Sequence, residues 1–238
     1  MIGSNPDSFQ KPENGSKERG PGKVAVSPAK NVTEIICIVD RNSLVATARS
    51  DPVGAFNRFL ADQQTPDDPT RLTMVLFGDQ CEIVHNGVPI RNVPPLIPAT
   101  FMPPGKTGLF DAIGTTLNTV SARLAGIPVD DQPEKMIVII LTCGNENASR
   151  EFSLPATRLM IDRFMNKLKW DCIFLAATAD GISDAELIGI RPDKIVRFSP
   201  DPAGICKVCE HISNAVAMKR RGEIINSWQK RYGMDAEP

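Results

Sequence analysis

The chain has 238 residues, enough for one full α/β domain and too few for two comfortable ones. Apolar residues make up 42% and charged residues 23%, with a formal net charge of -1, so no bulk electrostatic argument points to nucleic acid or to an anionic membrane. The six cysteines (Cys37, Cys81, Cys143, Cys172, Cys206, Cys209) are scattered in the manner of free thiols, the first residues lack a basic start followed by an apolar stretch, and no segment approaches the ~20 apolar residues of a membrane span; a reducing, cytoplasmic setting is the expectation.

Residues 1–30 are rich in Gly, Pro, Ser and Lys and nearly devoid of large apolar side chains, so they are expected to form a flexible arm ahead of a domain spanning 31–221, with 222–238 as a tail. Thr33–Asp40 is a short continuous apolar run, the pattern of a strand covered on both faces. A helix is expected over Asp51–Gln64, with Pro52 in its first turn and Val53, Phe56, Phe59 and Leu60 on one face. Arg71–Gly78 reads as a second strand. Cys81–Val84 followed by His85-Asn86-Gly87-Val88 carries an Asn-Gly hairpin signal, which places an antiparallel excursion at a sheet edge and His85 at a hairpin tip.

After a loop containing Pro94, Pro95, Pro98, Pro103 and Pro104, Thr107 is expected to open a long helix to about Leu124. Lys135–Thr142 is the most apolar strand and is expected at the centre. Leu154–Leu168 reads as a helix, Asp171–Ala177 and Lys194–Ser199 as strands, and Pro202–Arg221 as a closing helix. Strands alternating with helices imply a mostly parallel, doubly wound, six-stranded sheet with one antiparallel edge strand and helices on both faces. Ligands of such sheets sit at the carboxyl ends of the strands, where the strand order reverses. The loops after Asp40, before Thr107 and after Thr142 are therefore the candidate site.

Four stretches at these places form a pattern: Ile38-Val39-Asp40-Arg41-Asn42-Ser43-Leu44, Phe56-Asn57-Arg58-Phe59-Leu60, Pro104-Gly105-Lys106-Thr107-Gly108-Leu109-Phe110-Asp111-Ala112-Ile113-Gly114, and Leu141-Thr142-Cys143-Gly144-Asn145-Glu146-Asn147-Ala148-Ser149-Arg150. Together, and in this order, they resemble the von Willebrand factor A domains, most closely a prokaryotic and phage-borne branch, from about Thr33 to Arg220. The resemblance implies a Rossmann-like fold, a role in protein assembly, and a divalent cation held by an Asp-x-Ser-x-Ser loop, a Thr and a further Asp. Matched residue by residue, the first Asp is Asp40 and the Thr is Thr107. The first Ser position is Asn42, the second is Leu44, and the third-loop Asp is Cys143.

Those departures matter chemically. Mg²⁺ wants near-ideal octahedral oxygen coordination, Leu44 offers no ligand atom, and a thiol at Cys143 suits softer metals. The resemblance thus implies a degenerate metal-ion-dependent adhesion site at Asp40, Asn42 and Thr107, without a resident cofactor and with weak Mg²⁺ binding at most. Plainer accounts serve the same residues: Thr107 as a helix cap, Asp111 as a partner of the helix dipole, Asp40 as an acceptor for loop amides.

Other signals fail on their own terms. Gly105-Lys106-Thr107 ends like a phosphate-binding loop but has Thr100 in place of the leading glycine, and Asp40-Arg41-Asn42 contains no Gly-x-Gly turn. Cys206-x-x-Cys209 with His211 lacks a fourth zinc ligand, and no Gly-x-Ser-x-Gly elbow is present, so no enzyme is expected. The reading is a protein-binding module with Arg41, Asn42, Ser43, Lys106, Thr107, Asn145 and Glu146 on its partner face, binding neither nucleic acid nor membrane. Two alternatives remain open. One is a working cation site; the other is a structural subunit of a larger particle such as a phage virion, assembled through the N-terminal arm and the basic C-terminal segment with Trp228 and Tyr232.

Overall fold

The structure, a computed structural model, describes residues 31–44, 51–97 and 105–223. The expected arm over 1–30, and the tail with Trp228 and Tyr232, lie outside these residues, apart from Gly222 and Glu223.

Six strands form one sheet. They are β1 (Thr33–Asp40), β2 (Thr70–Phe77), β3 (Cys81–Pro89), β4 (Lys135–Thr142), β5 (Asp171–Ala176) and β6 (Ile195–Arg197), in the order β3-β2-β1-β4-β5-β6. All neighbours are parallel except β2 and β3. Helices α1 (Pro52–Gln64), α2 (Leu109–Ala125), α3 (Leu154–Ile161), α4 (Ala179–Leu187) and α5 (Pro202–Arg220) cover it. The alternation along β1 divides the core into two layers. Ile35, Cys37 and Val39 pack with Val53, Phe56 and Phe59 of α1 and Val208, Ile212 and Val216 of α5. Ile36 and Ile38 face the other way, with Ile113 and Leu117 of α2, Ile161 of α3 and Ala185 of α4. Burial on both sides is why β1 and β4 read as unbroken apolar runs.

Four details differ from the sequence expectations. First, Asn86-Gly87 is not a hairpin turn. The turn between β2 and β3 lies at Gly78–Gln80, where the Gly78 N–H donates to the Gln80 carbonyl at 3.0 Å. Gly87 sits within β3 at φ 67°, between the pairs Leu72–Val88 and Met74–His85, where β3 has one residue more than β2. This is a bulge, and the left-handed glycine serves it as well as it would serve a turn. The Gly87 N–H donates to Thr73 Oγ1 at 3.0 Å, and a Cβ there would come within 2.6 Å of the Arg123 guanidinium. His85 accordingly pairs with Met74 inside the strand, not at a tip.

Second, α2 begins at Leu109 with Gly108 as its N-cap, so Thr107 does not cap it. Third, α3 is α-helical only to Ile161 and widens into a π turn over Asp162–Lys167. Fourth, α4 is an additional helix, started by Thr178, whose side chain accepts from the Gly181 N–H at 3.1 Å. None of the described helices is long and apolar enough to cross a membrane.

Candidate functional site

The strand order reverses between β1 and β4, and the loops that follow these strands meet there with the segment leading into α2. Asp40, the last residue of β1, is fully buried. One carboxylate oxygen accepts from the Asn42 N–H at 2.9 Å. The other accepts from the Thr142 hydroxyl at 3.1 Å and, more weakly, from the Cys143 N–H at 3.4 Å. Burial raises the Asp40 pKa above the usual carboxylate value, and these hydrogen bonds oppose the rise. Both oxygens of this strand-end carboxylate thus accept from donors of its own chain.

Asn42 links the first two loops. Its carboxamide oxygen accepts from the Gly105 N–H at 3.2 Å, and its amide nitrogen reaches Thr107 Oγ1 at 3.5 Å. Thr107 is buried, and Asn147 brackets its backbone, accepting from its N–H through the side chain at 2.9 Å and donating its own N–H to the Thr107 carbonyl at 3.0 Å. Gly144 passes close to this pair; a Cβ on it would lie 2.8 Å from Thr107 Oγ1. Asp40, Asn42 and Thr107 therefore come together as the sequence expectation had them.

The third loop is fastened to α2 by a reciprocal pair of carboxylates. Glu146 accepts from the N–H groups of Ala148 and Ser149 and from the Ser149 hydroxyl, and also from the Phe110 N–H in the first turn of α2 at 2.9 Å. Ser149 Oγ accepts from the next free amide, Asp111 N–H, at 3.0 Å. Asp111 in turn accepts the N–H groups of Arg150, Glu151 and Phe152 at 2.7–2.9 Å. A helix start leaves several N–H groups without intrahelical partners, and here the third loop supplies the acceptors that Thr107 does not.

This geometry revises the expected partner face. Glu146 is committed to the loop and to α2, and its own N–H donates to Asp184 Oδ2 at 2.7 Å. Ser43 is buried, without a well-formed hydrogen bond and with the Cys143 thiol as its polar neighbour. The Arg41 side chain is only 14% exposed and pairs with Glu82 of β3. Lys106 and Asn145 are exposed, as expected. Beside them a groove of about 690 Å³ runs between the β2–β3 turn, Lys106, Asp111 and Arg150. Thr142, Asn147 and Ser149 were missed as organisers of the site, their only local signal being their clustering at a strand end, while Asp111, read as a partner of the helix dipole, also accepts three amides of the third loop.

The donor set does not fit a hard cation. Asp40 accepts from Asn42, Thr142 and Cys143, and the Asn42 oxygen accepts from Gly105, so the oxygens of both side chains are already engaged by their own chain. Burial raises the Cys143 thiol pKa, so it is a neutral group and not an anionic ligand. Among the described residues no group of three or more His, Cys, Asp or Glu side chains could hold a metal ion. Cys206 and Cys209 lie on α5, where Cys209 lines an apolar cavity with Ser43 and Leu141; Arg58 donates to the Cys206 sulfur at 3.4 Å, and burial pushes the Cys209 thiol up to about 12.

The topology defines an α/β, Rossmann-like fold, a six-stranded sheet with one antiparallel pair. Solved structures share it. The chain matches proximal thread matrix protein 1 from the mussel byssus with a TM-score of 0.51 at 17% identity, over 79% of this chain and 47% of that one. A form of the same protein with a zinc-occupied MIDAS motif matches with a TM-score of 0.51 at 18% identity, over 77% and 45%. The PilB minor pilin from Streptococcus sanguinis matches with a TM-score of 0.54 at 10% identity, over 79% and 61%. The chain thus spans less than two thirds of either protein, and at these identities the likeness is one of fold. No protein-family model and no curated protein matches the sequence.

Proposed function

We propose that this chain is a non-enzymatic, protein-binding module of the von Willebrand factor A type whose upper face works without a bound cation. The observation that carries this reading is Asp40. In a cation-dependent site that carboxylate would face the ion or its waters. Here it is buried and holds Asn42, Thr142 and Cys143 instead. The hydrogen bonds do what an ion would otherwise do: they fix three loops against each other. Exposed groups on a rigid scaffold, here Lys106 and Arg150 on the groove and Asn145 on the third loop, are where binding concentrates.

The test is co-purification of partners from the native source with the full chain, with and without chelator, alongside the double variant Lys106→Glu with Arg150→Glu. Capture that is indifferent to chelator and lost in the double variant supports the reading. Capture abolished by chelator, or a saturable rise in melting temperature with Mg²⁺, refutes the cation-free site, since a ligand that binds the folded state stabilises it. Capture kept by the double variant and lost on deleting residues 1–30 would favour the structural-subunit alternative.

A further inference from the structure

At the opposite end of the sheet, where β4 and β5 begin, lies a second concavity of about 430 Å³. It is closed by the turn after α3, the loop before β6 and the end of α5. Its lining carries five cationic side chains and two carboxylates among the described residues. One of those carboxylates, Asp171, is shared: Lys219 pairs with one oxygen, and Lys194 stands 3.8 Å from the other. Asp193 adds a further negative charge near Lys194, yet the lining still carries more cations than carboxylates, and Lys194 is 9% exposed, where water screens charge poorly.

The remaining cations differ in what they offer. Arg191 is held by Asp193 through two hydrogen bonds of 2.7–2.8 Å, so its planar fork, the group best matched to a carboxylate, is occupied. The lysines are compact charges with three donors each, suited to the oxygens of a tetrahedral dianion. Lys169 stands on the lining at φ 59°, the left-handed conformation that ends the π turn, with the Trp170 N–H reaching back to the Phe164 carbonyl at 3.0 Å. The rest of the lining is apolar: Trp170 with Ile161, Met165 and Ile190. Trp170 rests against Phe164 with ring centroids 4.6 Å apart, which holds the indole in place beside the lysines.

We infer that this cavity binds a phosphorylated small molecule, with the phosphate among Lys169, Lys194 and Lys219 and a flat organic body against Trp170. The site is separate from the upper face, so it stands or falls apart from the proposed protein-binding role. Adenosine monophosphate is a suitable probe. The sequence holds two tryptophans, Trp170 and Trp228, so the titration uses full-length Trp228→Phe, in which only Trp170 reports.

Adenosine monophosphate should change Trp170 fluorescence saturably at low salt, inorganic phosphate should displace it, and adenosine should bind far more weakly. Lys169→Gly should weaken binding about fivefold, the size of one partly exposed charge contact, without lowering the melting temperature, because glycine adopts this backbone conformation freely. Lys219→Gln should weaken binding as well. No saturable signal, equal affinity for adenosine, or unchanged affinity in a folded Lys169→Gly variant would each overturn the assignment.

Discussion

Glu146 looks from the sequence like a loop carboxylate awaiting a partner, and the structure makes it a helix cap. Glu146→Ala removes the acceptor for three backbone N–H groups, those of Phe110, Ala148 and Ser149, together with the Ser149 hydroxyl. Losing a side-chain cap costs about 1 kcal/mol, and losing a negative charge at a helix N-terminus about 0.5 kcal/mol more. The Ala148 and Ser149 amides lie in a part-buried loop where water replaces the acceptor imperfectly, which adds about 1–2 kcal/mol. The total is about 3 kcal/mol. For a domain of this size each kcal/mol moves the midpoint by about 2–4 °C, so a thermal melt should drop by roughly 6–12 °C. Glu146→Gln, which keeps one acceptor oxygen, should lose about half as much. Circular dichroism melts of the three proteins decide it. A drop below about 1 °C in Glu146→Ala would show that the carboxylate is a free surface group, since such groups rarely matter to stability, and the account of the third loop would fail.

Asp40 gives a pH test. Its folded-state pKa is raised, chiefly by burial, so the stability linked to its protonated form is fully present below the ordinary carboxylate range and is lost as pH rises through the raised value. Melting temperatures of wild type and Asp40→Asn, compared from acid to neutral pH, should show a larger fall in the wild type, since Asp184, also raised by burial, titrates in both; identical profiles would remove the role given to burial of Asp40. Gly144→Ala puts a methyl group 2.8 Å from Thr107 Oγ1, and the forced shift should cost about 1–2 kcal/mol in a denaturant titration, with an unchanged midpoint arguing that the second and third loops are loosely held. On the opposite side of the sheet, Glu34 is fully buried within β1, pairing with Arg123 and accepting from Thr73 at 2.8 Å. Arg123→Ala strands that charge and should cost about 3 kcal/mol, and Glu34→Gln added to it should recover part of the loss; a double variant no better than the single one would contradict the pairing.

What the sequence made legible follows from how local the causes are. β1, β4 and β5 announce themselves because burial on both faces leaves no polar position to interrupt them, and α1 because Asp51, Pro52 and the Val53-Phe56-Phe59-Leu60 face lie within a few turns of one another. The bulge at Gly87 was indistinguishable from a hairpin turn because both use the same left-handed glycine. What separates them is the Thr73 hydroxyl on the next strand and Arg123 on α2. Helix α4 was invisible because its nine residues bury only Gly181 and Ala185 fully, too little apolar surface to show a period.

The site divides along the same line. Its position could be read, because the strand-end loops carry a pattern, and Asp40, Asn42 and Thr107 do meet there. The role of each side chain could not, because it is set by partners far along the chain: Glu146 acts on Phe110 across 36 residues, and Asp40 on Thr142 across 102. Cys143, where the family resemblance implies an Asp, illustrates the difference. On the sequence it is a lost ligand and nothing more. In the fold, the backbone N–H of that same residue turns to Asp40, as the hydroxyl of Thr142 before it does, so the position contributes a main-chain donor to the Asp40 carboxylate. That N–H belongs to the main chain and any side chain at this position would leave it in place, so the tie between the first and third loops could not be read from the identity of residue 143.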